Sequence, residues 1–187
     1  MSSATPPPAH LREEVESVLI GEKEIAARVR ELAADIERDF VKQDLLVVAL
    51  LTGTVPFLAD LIRHITLPLR LDFMGVSSYG NNTAPGELVF TKELILEAQN
   101  RDVLLVDDIL DTGKTLRTVI DKLNALEPRS LKTCVLLEKK SRRAENVTAD
   151  YVGFEVPDAF VVGYGLDYAE RYRNLPFIGI LKPEVYA

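Results

Sequence analysis

An acidic pair and a short glycine-containing loop follow a run of apolar residues in the middle of this 187-residue chain. Residues 103–106 are Val-Leu-Leu-Val, and an apolar run without alternation is typical of a strand covered on both faces in a parallel sheet. Asp107 and Asp108 come next and offer carboxylates to ribose hydroxyls or to a hard cation. Residues 111–115 then offer backbone N–H groups at the start of a helix, where the dipole favours an anion. The pattern predicts a site for a phosphorylated sugar.

Two other interpretations of this segment are weaker. Gly113, Lys114 and Thr115 match the end of a nucleoside-triphosphate P-loop, but Asp108 stands where the first glycine of that motif belongs. A carboxylate at that position would repel the phosphates that the loop must wrap. The segment could also be a solvated acidic turn between a strand and a helix. Adjacent carboxylates repel one another, however, and are usually retained for a ligand or a metal.

The apolar strand, the acidic pair and the Asp-Thr-Gly-Lys-Thr loop together resemble the signature of type I phosphoribosyltransferases, which bind phosphoribosyl pyrophosphate (PRPP). Residues 150–168 are similar to the base-recognition segment of hypoxanthine-guanine phosphoribosyltransferases, and residues 169–176 are similar to bacterial members. This resemblance covers nearly the whole chain beyond its first residues. It implies a purine salvage enzyme that transfers ribose 5-phosphate from PRPP to hypoxanthine or guanine, giving IMP or GMP and pyrophosphate.

The resemblance assigns the PRPP site to the segment that carries the acidic pair. Asp107 and Asp108 correspond to the acids that hold the ribose hydroxyls and Mg²⁺, directly or through water. Asp111 corresponds to the general base that faces N7 of the purine, although aspartate is also a favoured helix N-cap and both roles can coexist. The positions that match the PRPP-binding loop are Asp111, Thr112, Gly113, Lys114 and Thr115.

The resemblance places purine recognition later in the chain. Lys139 matches the lysine that donates to the 6-oxo group, and Phe160 matches the residue that stacks on the purine. Val161 and Asp167 match positions whose backbone groups bind the edge of the base, and Asp167 also matches a metal-associated acid. Without the family, Lys139 would belong to the solvated charged run 139–143 and Phe160 to the core.

The pyrophosphate site is the place where the sequence departs from the family. Arg173 matches a residue near pyrophosphate, and the turn with Thr52 and Gly53 matches the first loop. Many family members carry lysine where this chain has Thr52, so the contribution of that lysine is missing here. The resemblance leaves room for a cis peptide between Leu51 and Thr52, which would turn backbone N–H groups toward pyrophosphate.

A long segment without periodicity follows a predicted strand at 69–76. Residues 77–86 are polar and contain glycine, and unpatterned loops of this length in compact domains are commonly functional. Ser78 and Tyr79 match the flexible-loop pair that closes over the reacting centre and excludes water. The sequence therefore predicts a mobile lid.

Alternating strands and helices must position these residues. Apolar residues at helical spacing from Ile25 to Phe40 predict an amphipathic helix that starts near Glu22. Further strands are predicted at 45–51, 69–76, 103–106 and 131–137, and further helices at 57–65 and 115–126. This order implies an α/β fold with a mostly parallel twisted sheet flanked by helices. The resemblance makes it the type I phosphoribosyltransferase fold, with a small hood from the chain ends.

Composition and pattern also predict the domain organisation. Residues 1–9 contain a run of prolines and little that could be buried, which predicts a disordered tail. Residues 10–187 are expected to form one phosphoribosyltransferase domain, since their number suits a single core. Within it, the core is expected at about 22–150 and the hood at about 10–21 and 151–187.

The charge balance bounds the partners. The chain has 29 acidic and 22 basic residues and a pI near 5.0, so it lacks the basic footprint of a nucleic-acid binder. No apolar run approaches the roughly 20 residues that span a bilayer, and the start lacks the pattern of a signal peptide. We therefore expect a cytoplasmic protein without nucleic-acid or membrane partners, with Mg²⁺ supplying positive charge. The resemblance implies a homodimer or homotetramer.

Two other functions are compatible with the sugar-phosphate motif. One is a phosphoribosyltransferase for xanthine or another base, which would share the fold. The other is a regulator that senses PRPP while binding RNA, DNA or a partner protein. The acidic balance and the intact base-recognition segment argue against the regulator, and release of pyrophosphate that depends on an added base would separate the two classes.

Overall fold

The computed structural model describes residues 6–41, 43–77 and 88–186, which form two sheets and the helices packed on them. The strands are β1 (Val15–Ile20), β2 (Leu45–Leu51), β3 (Leu69–Ser77), β4 (Val89–Lys92), β5 (Asp102–Leu110), β6 (Ser130–Glu138), β7 (Tyr151–Glu155), β8 (Val161–Val162) and β9 (Ile178–Leu181). The helices are α1 (Glu22–Asp39), α2 (Val55–His64), α3 (Lys114–Asn124) and α4 (Pro183–Tyr186), preceded by a 3-10 turn at Ala9–Leu11.

The larger sheet has six strands in the order β4-β3-β2-β5-β6-β7. All neighbours are parallel except β4, which runs antiparallel to β3 at one edge. The residues of β2 and of the first part of β5 are buried without alternation because both faces of the sheet are covered. The predicted α/β fold with a mostly parallel sheet is confirmed.

Successive residues of the central strands pack into different cores. Val47 and Val106 point to the face covered by α1 and α2, whereas Val48 and Leu105 point to the face covered by α3. In the parallel register Ala49 lies beside Val106, so β2 and β5 reach their carboxyl ends together. The loop after β2 and the acidic pair of β5 are thereby brought to one edge of the sheet.

The smaller sheet joins the two ends of the chain and forms the predicted hood. Its order is β1-β9-β8 and both pairings are antiparallel. β7 does not belong to it, because β7 pairs with β6 in the larger sheet. The core sheet therefore continues to Glu155, a few residues past the expected start of the hood at about 151.

The sequence predicted strands β2, β3, β5 and β6 and helices α1, α2 and α3 within a few residues, and it gave no separate bounds for the other strands. One of the predicted strands differs in a useful way. β5 continues beyond 106 to Leu110, so Asp107 and Asp108 are held by strand pairing with β6 instead of lying in a turn. Residues 1–5 of the predicted tail and the lid residues Ser78 and Tyr79 lie outside the described part of the chain. Among the described helices, none has the length and apolar character needed to cross a membrane.

Candidate active site

A cavity of about 230 Å³ opens at the carboxyl ends of β2, β3 and β5. It is lined by Leu50, Leu51, Val76, Asp107, Asp108, Ile109, Leu110, Asp111, Thr112, Gly113, Thr115 and Leu116. The acidic pair and most of the predicted phosphate loop therefore face one space. The predicted residues Lys114, Lys139, Phe160, Val161, Asp167, Arg173, Thr52 and Gly53 are not part of this lining.

The acidic pair lies near the end of β5, where Asp107 is buried and Asp108 is partly buried. Asp107 Oδ1 accepts hydrogen bonds from the backbone N–H of Asp108 (3.0 Å) and from the hydroxyl of Thr54 (3.3 Å). Burial raises the pKa of Asp107 well above its usual range, and the negative charge of Asp108 adds to the effect. Burial also raises the pKa of Asp108, although the positive charge of the Arg173 guanidinium acts to lower it. Within the described residues Arg173 forms its ion pairs with other acids, so the two carboxylates are left for a ligand.

The donor set fits Mg²⁺ when the substrate supplies the other ligands. No group of three or more metal-ligating side chains is found in residues 6–41, 43–77 and 88–186. Mg²⁺ is commonly bound by one or two carboxylates together with phosphate oxygens and water, which suits the adjacent pair Asp107 and Asp108. Asp167 is engaged elsewhere, since its carboxylate lies 2.8 Å from Arg173 and accepts a hydrogen bond from the N–H of Glu170 (3.0 Å). Its role as a metal ligand stays a prediction.

The loop after β2 packs directly against the acidic pair and the hood. The peptide between Leu51 and Thr52 is cis, as the resemblance allowed. A Cβ atom on Gly53 would lie 1.8 Å from Asp108 Oδ2, and one on Gly165 (φ +102°) would lie 1.8 Å from the Gly53 carbonyl oxygen. Arg173 Nη1 donates to the carbonyl of Gly165 (2.8 Å). The predicted pyrophosphate residues Gly53 and Arg173 are thus brought together through a glycine contact that tolerates no side chain.

The predicted phosphate loop is seated on the segment that follows β6. Gly113 adopts φ +88°, and a Cβ atom there would lie 2.7 Å from Val147. The carbonyl of Thr112 accepts hydrogen bonds from the N–H groups of Ala144 (2.9 Å) and Glu145 (3.0 Å). These hydrogen bonds fix the Thr112 carbonyl, and α3 begins directly after Gly113. The loop therefore presents its N–H groups at a helix N-terminus, which suits a phosphate.

Asp111 and Lys139 are two charged residues beside this loop, close enough for their charges to interact. One oxygen of Asp111 is buried without a hydrogen-bond partner, and the other lies 3.6 Å from Arg142 Nη1. The N-cap of α3 is Gly113, so capping does not explain Asp111. Lys139 is only 5% exposed, and burial lowers its pKa against the opposing charge of Asp111. Lys139 is therefore not a member of a solvated charged run, while Arg142 reaches from Asp111 to Asp158 (3.7 Å).

The hood carries the remaining predicted purine residues. Phe160 is 36% exposed and does not belong to the core, whereas Val161 is buried in β8. Gly165, in the loop that follows β8, approaches the carbonyl of Gly53, so the hood meets the sheet at the edge that carries the loop after β2.

Several residues that shape the site carried no signal strong enough to be predicted. Thr54 is buried and donates to Asp107 from the loop after β2, although it is separated from it by 53 positions. Arg142 was indistinguishable from its charged neighbours in the sequence. Gly165 could have been noticed because Gly-Tyr-Gly at 163–165 indicates a backbone that approaches another closely.

Comparison with known proteins decides the family. The family model described as phosphoribosyl transferase domain matches residues 19–169. A hypoxanthine-guanine phosphoribosyltransferase of Bacillus subtilis (strain 168) is 49% identical over 177 residues, which cover 94% of this chain and 98% of the relative. This chain belongs to the hypoxanthine-guanine phosphoribosyltransferases.

Other members of the hypoxanthine-guanine phosphoribosyltransferase family agree with this assignment. The relative from Streptococcus mutans is 42% identical over 178 residues, which cover 95% of this chain and 99% of the relative. A crystal structure of a hypoxanthine phosphoribosyltransferase from Staphylococcus aureus superimposes with a TM-score of 0.90 at 43% identity, covering 96% of this chain and 98% of that one. The similarity therefore includes both the core and the hood.

Proposed function

We propose that this chain transfers ribose 5-phosphate from PRPP to hypoxanthine or guanine and releases pyrophosphate. The observation that carries the proposal is the shared cavity, in which the acidic pair Asp107 and Asp108 lies beside a phosphate-sized loop at a helix N-terminus. The two relatives described above are named hypoxanthine-guanine phosphoribosyltransferases, and the S. aureus structure is named a hypoxanthine phosphoribosyltransferase. Phosphorylated sugar and purine would meet where the hood covers this edge of the sheet.

The residues of the cavity suit the charge changes of such a transfer. The ribose carbon becomes positive and the leaving pyrophosphate becomes more negative, so the site must hold both and neutralise the leaving group. Asp107 and Asp108 would hold Mg²⁺, which when bound neutralises pyrophosphate oxygens. Thr112, Gly113 and Thr115 would bind the 5-phosphate through the loop that the 144–145 backbone supports. Arg173 would contribute a cation near pyrophosphate.

Asp111 and Lys139 suit deprotonation and recognition of the base. The buried, unpartnered oxygen of Asp111 can accept a proton from N7 of the purine. Lys139 is buried close enough to Asp111 for their charges to interact, and its ammonium can donate to a 6-oxo group. The backbone of Val161 and Asp167 would bind the purine edge, with Phe160 stacked on the ring. The proposal also includes a cytoplasmic location and a homodimer or homotetramer.

The direct test is pyrophosphate release by the purified protein with PRPP and Mg²⁺, measured separately with hypoxanthine, guanine, xanthine and adenine. Hypoxanthine and guanine should react. Adenine should be a poor substrate, because its 6-amino group would point hydrogens at the Lys139 ammonium, and such a mismatch is strongly discriminated in a desolvated site. Xanthine as the preferred base would favour the related transferase, and release independent of any base would contradict the proposal.

The role of Asp111 has its own variant. Asp111→Asn keeps the size of the side chain but cannot take the proton, so turnover should fall by about 10²–10⁴-fold with PRPP binding largely retained. Asp121→Asn is the matched control, because Asp121 lies on the exposed face of α3 in a weak pair with Arg117 (3.9 Å). Wild-type turnover in Asp111→Asn would remove this residue from catalysis.

A further inference from the structure

The hood contains a cluster of three aromatic rings that includes the proposed purine-stacking residue. Phe160 and Tyr186 are stacked, with ring centroids 4.7 Å apart and an interplanar angle of 25°. Tyr168 meets Phe160 edge to face at 5.5 Å and 89°, and Tyr168 and Tyr186 lie 6.5 Å apart. Pairs of these two geometries are favourable beyond the burial of their area. Tyr186 therefore holds one ring whose orientation matters to the proposed base site.

The last turn of the described chain is anchored so that Tyr186 can reach Phe160. The N–H of Leu181 in β9 donates to the carbonyl of Phe160 (2.8 Å), which places the start of the C-terminal segment beside β8. The N–H of Val185 donates to the carbonyl of Lys182 (3.0 Å), and the Val185 side chain packs on the small core around Val162. Backbone pairing and side-chain packing thus both direct Tyr186 onto the ring.

We propose that Tyr186 is a positioning residue of the purine site, which fixes the plane of the Phe160 ring against which the base stacks. This inference rests on the proposed function. Phe160 is 36% exposed, so the contact with Tyr186 leaves part of its surface for a ligand. A half-exposed phenylalanine without such a neighbour would sample several orientations, and a binding site loses affinity when its contact residues must be ordered on binding. The stacked tyrosine removes part of that ordering cost.

The contribution comes from the ring and not from the hydroxyl. No hydrogen bond joins the Tyr186 hydroxyl to any residue within 6–41, 43–77 or 88–186, whereas the ring makes two aromatic contacts. Tyr186→Phe should therefore behave like the wild type, and Tyr186→Ala should not.

The test measures steady-state kinetics against hypoxanthine at saturating PRPP and Mg²⁺. Tyr186→Ala should raise the KM for hypoxanthine about two- to tenfold, the range expected for losing one aromatic pair. Its kcat and its KM for PRPP should change less than about twofold, because the phosphate loop and acidic pair are untouched. Glu184→Ala is the matched control: Glu184 is an exposed residue of the same turn, and its replacement removes neither a ring nor the packing of Val185, so the KM for hypoxanthine should stay near that of the wild type.

A double-mutant cycle with Phe160→Leu separates positioning of this ring from a general effect on the hood. Once Phe160 is gone, Tyr186→Ala should have little further effect on the KM for hypoxanthine. An equal effect in both backgrounds would overturn the inference. So would an unchanged KM in Tyr186→Ala, or a lowered KM, which would mean that the tyrosine competes with the base. In these cases the wild type is active and the proposed function survives, whereas a wild type without base-dependent activity overturns both.

Discussion

The two ends of strand β5 carry buried aspartates whose pKa values are shifted in opposite directions. At the amino end, Asp102 accepts hydrogen bonds from Arg129 Nε (3.1 Å) and from the Ser130 hydroxyl (2.6 Å). The Arg129 hydrogen bond holds the pKa of Asp102 below its usual range despite burial. At the carboxyl end, burial raises the pKa of Asp107 and of its neighbour Asp108. The charge of Asp102 is balanced by an ion pair with Arg129, whereas neither Asp107 nor Asp108 forms an ion pair within the described residues.

This difference separates stability from function along a single strand. A buried carboxylate that forms a close ion pair with a guanidinium stabilises the fold, whereas adjacent carboxylates without an ion pair destabilise it. Ligands of open α/β sheets bind outside the carboxyl ends of the strands, which is the end where this protein leaves its charge uncompensated. We infer that the destabilising pair is retained because PRPP and Mg²⁺ compensate it.

The largest effect is expected from removing charge at the carboxyl end. Asp107→Asn retains an acceptor for Thr54 and for the Asp108 N–H but lacks the negative charge. We expect kcat/KM for PRPP to fall by about 10²–10³-fold, since the charge proposed to hold Mg²⁺ and ribose is lost. The free energy of unfolding without ligand should rise by on the order of 1 kcal/mol, because the repulsion is relieved. Steady-state kinetics and urea unfolding check the two parts, and a clear loss of stability would contradict the comparison.

The same substitution at the amino end should give the opposite result. Asp102→Asn removes the ion pair with Arg129, so the free energy of unfolding should fall by about 1–3 kcal/mol. This corresponds to a decrease of very roughly 2–12 °C in Tm for a chain of this size. Activity at low temperature should remain within about twofold, since Asp102 does not touch the cavity. A variant that stays stable but loses activity would show that the two ends are not independent.

Acid should distinguish the neutralised aspartates from the uncompensated ones. Burial alone would raise the pKa of Asp72 in β3, but the N–H groups of Leu96, Phe73 and Ile95 and the Lys92 ammonium together lower it to about 2. Its stabilising contribution is therefore complete above its ordinary pKa of 3.8 and is lost as the pH falls toward 2. The shift corresponds to roughly 2 kcal/mol.

The contribution of Asp107 to stability changes with pH in the opposite direction, because its pKa is raised. Its destabilising contribution is absent below the ordinary pKa and develops as the pH rises toward the raised value. Urea unfolding from pH 2 to 8 should show a loss of stability below about pH 4 that Asp72→Asn reduces, and a decline above it that Asp107→Asn reduces. The same acid limb in wild type and Asp72→Asn would count against this assignment.

The smallest effect is expected from adding a cation near the carboxyl end. The Thr52 side chain is exposed in the loop that packs on Asp108 through Gly53, so Thr52→Lys adds positive charge with little steric conflict. Product inhibition by pyrophosphate should become a few-fold stronger at low salt, and the gain should shrink at high salt. If inhibition does not change at low salt, Arg173, Mg²⁺ or backbone donors already supply the charge.

The uncompensated end was predictable from the sequence, and the neutralised end was not. The acidic pair follows an apolar strand and precedes a glycine loop, so its signals are contiguous and need no tertiary information. Asp102 and Arg129 are 27 positions apart, and no local pattern selects that arginine. The core strands were likewise predicted from their apolar runs, whereas β8, with only Val161 and Val162, is too short to show a period.

The purine side of the site lies between these extremes. Lys139 and Phe160 were identified by resemblance, because their own neighbourhoods suggested a solvated run and a core position. Burial of the lysine and exposure of the phenylalanine depend on how the hood meets the sheet, which local pattern does not encode. The stacking of Tyr186 on Phe160 depends on the same long-range placement.

Thermal unfolding with and without Mg²⁺ and PRPP, compared among wild type, Asp107→Asn and Asp102→Asn, tests most directly whether ligand compensates the carboxyl end of β5. Ligand at about 100 times its Kd should stabilise the wild type by about 2.7 kcal/mol, or roughly 5–10 °C. Asp102→Asn should start lower and gain the same increment, whereas Asp107→Asn should start higher and gain little. An equal increment in Asp107→Asn, or its loss in Asp102→Asn, would contradict the division of roles between the two ends.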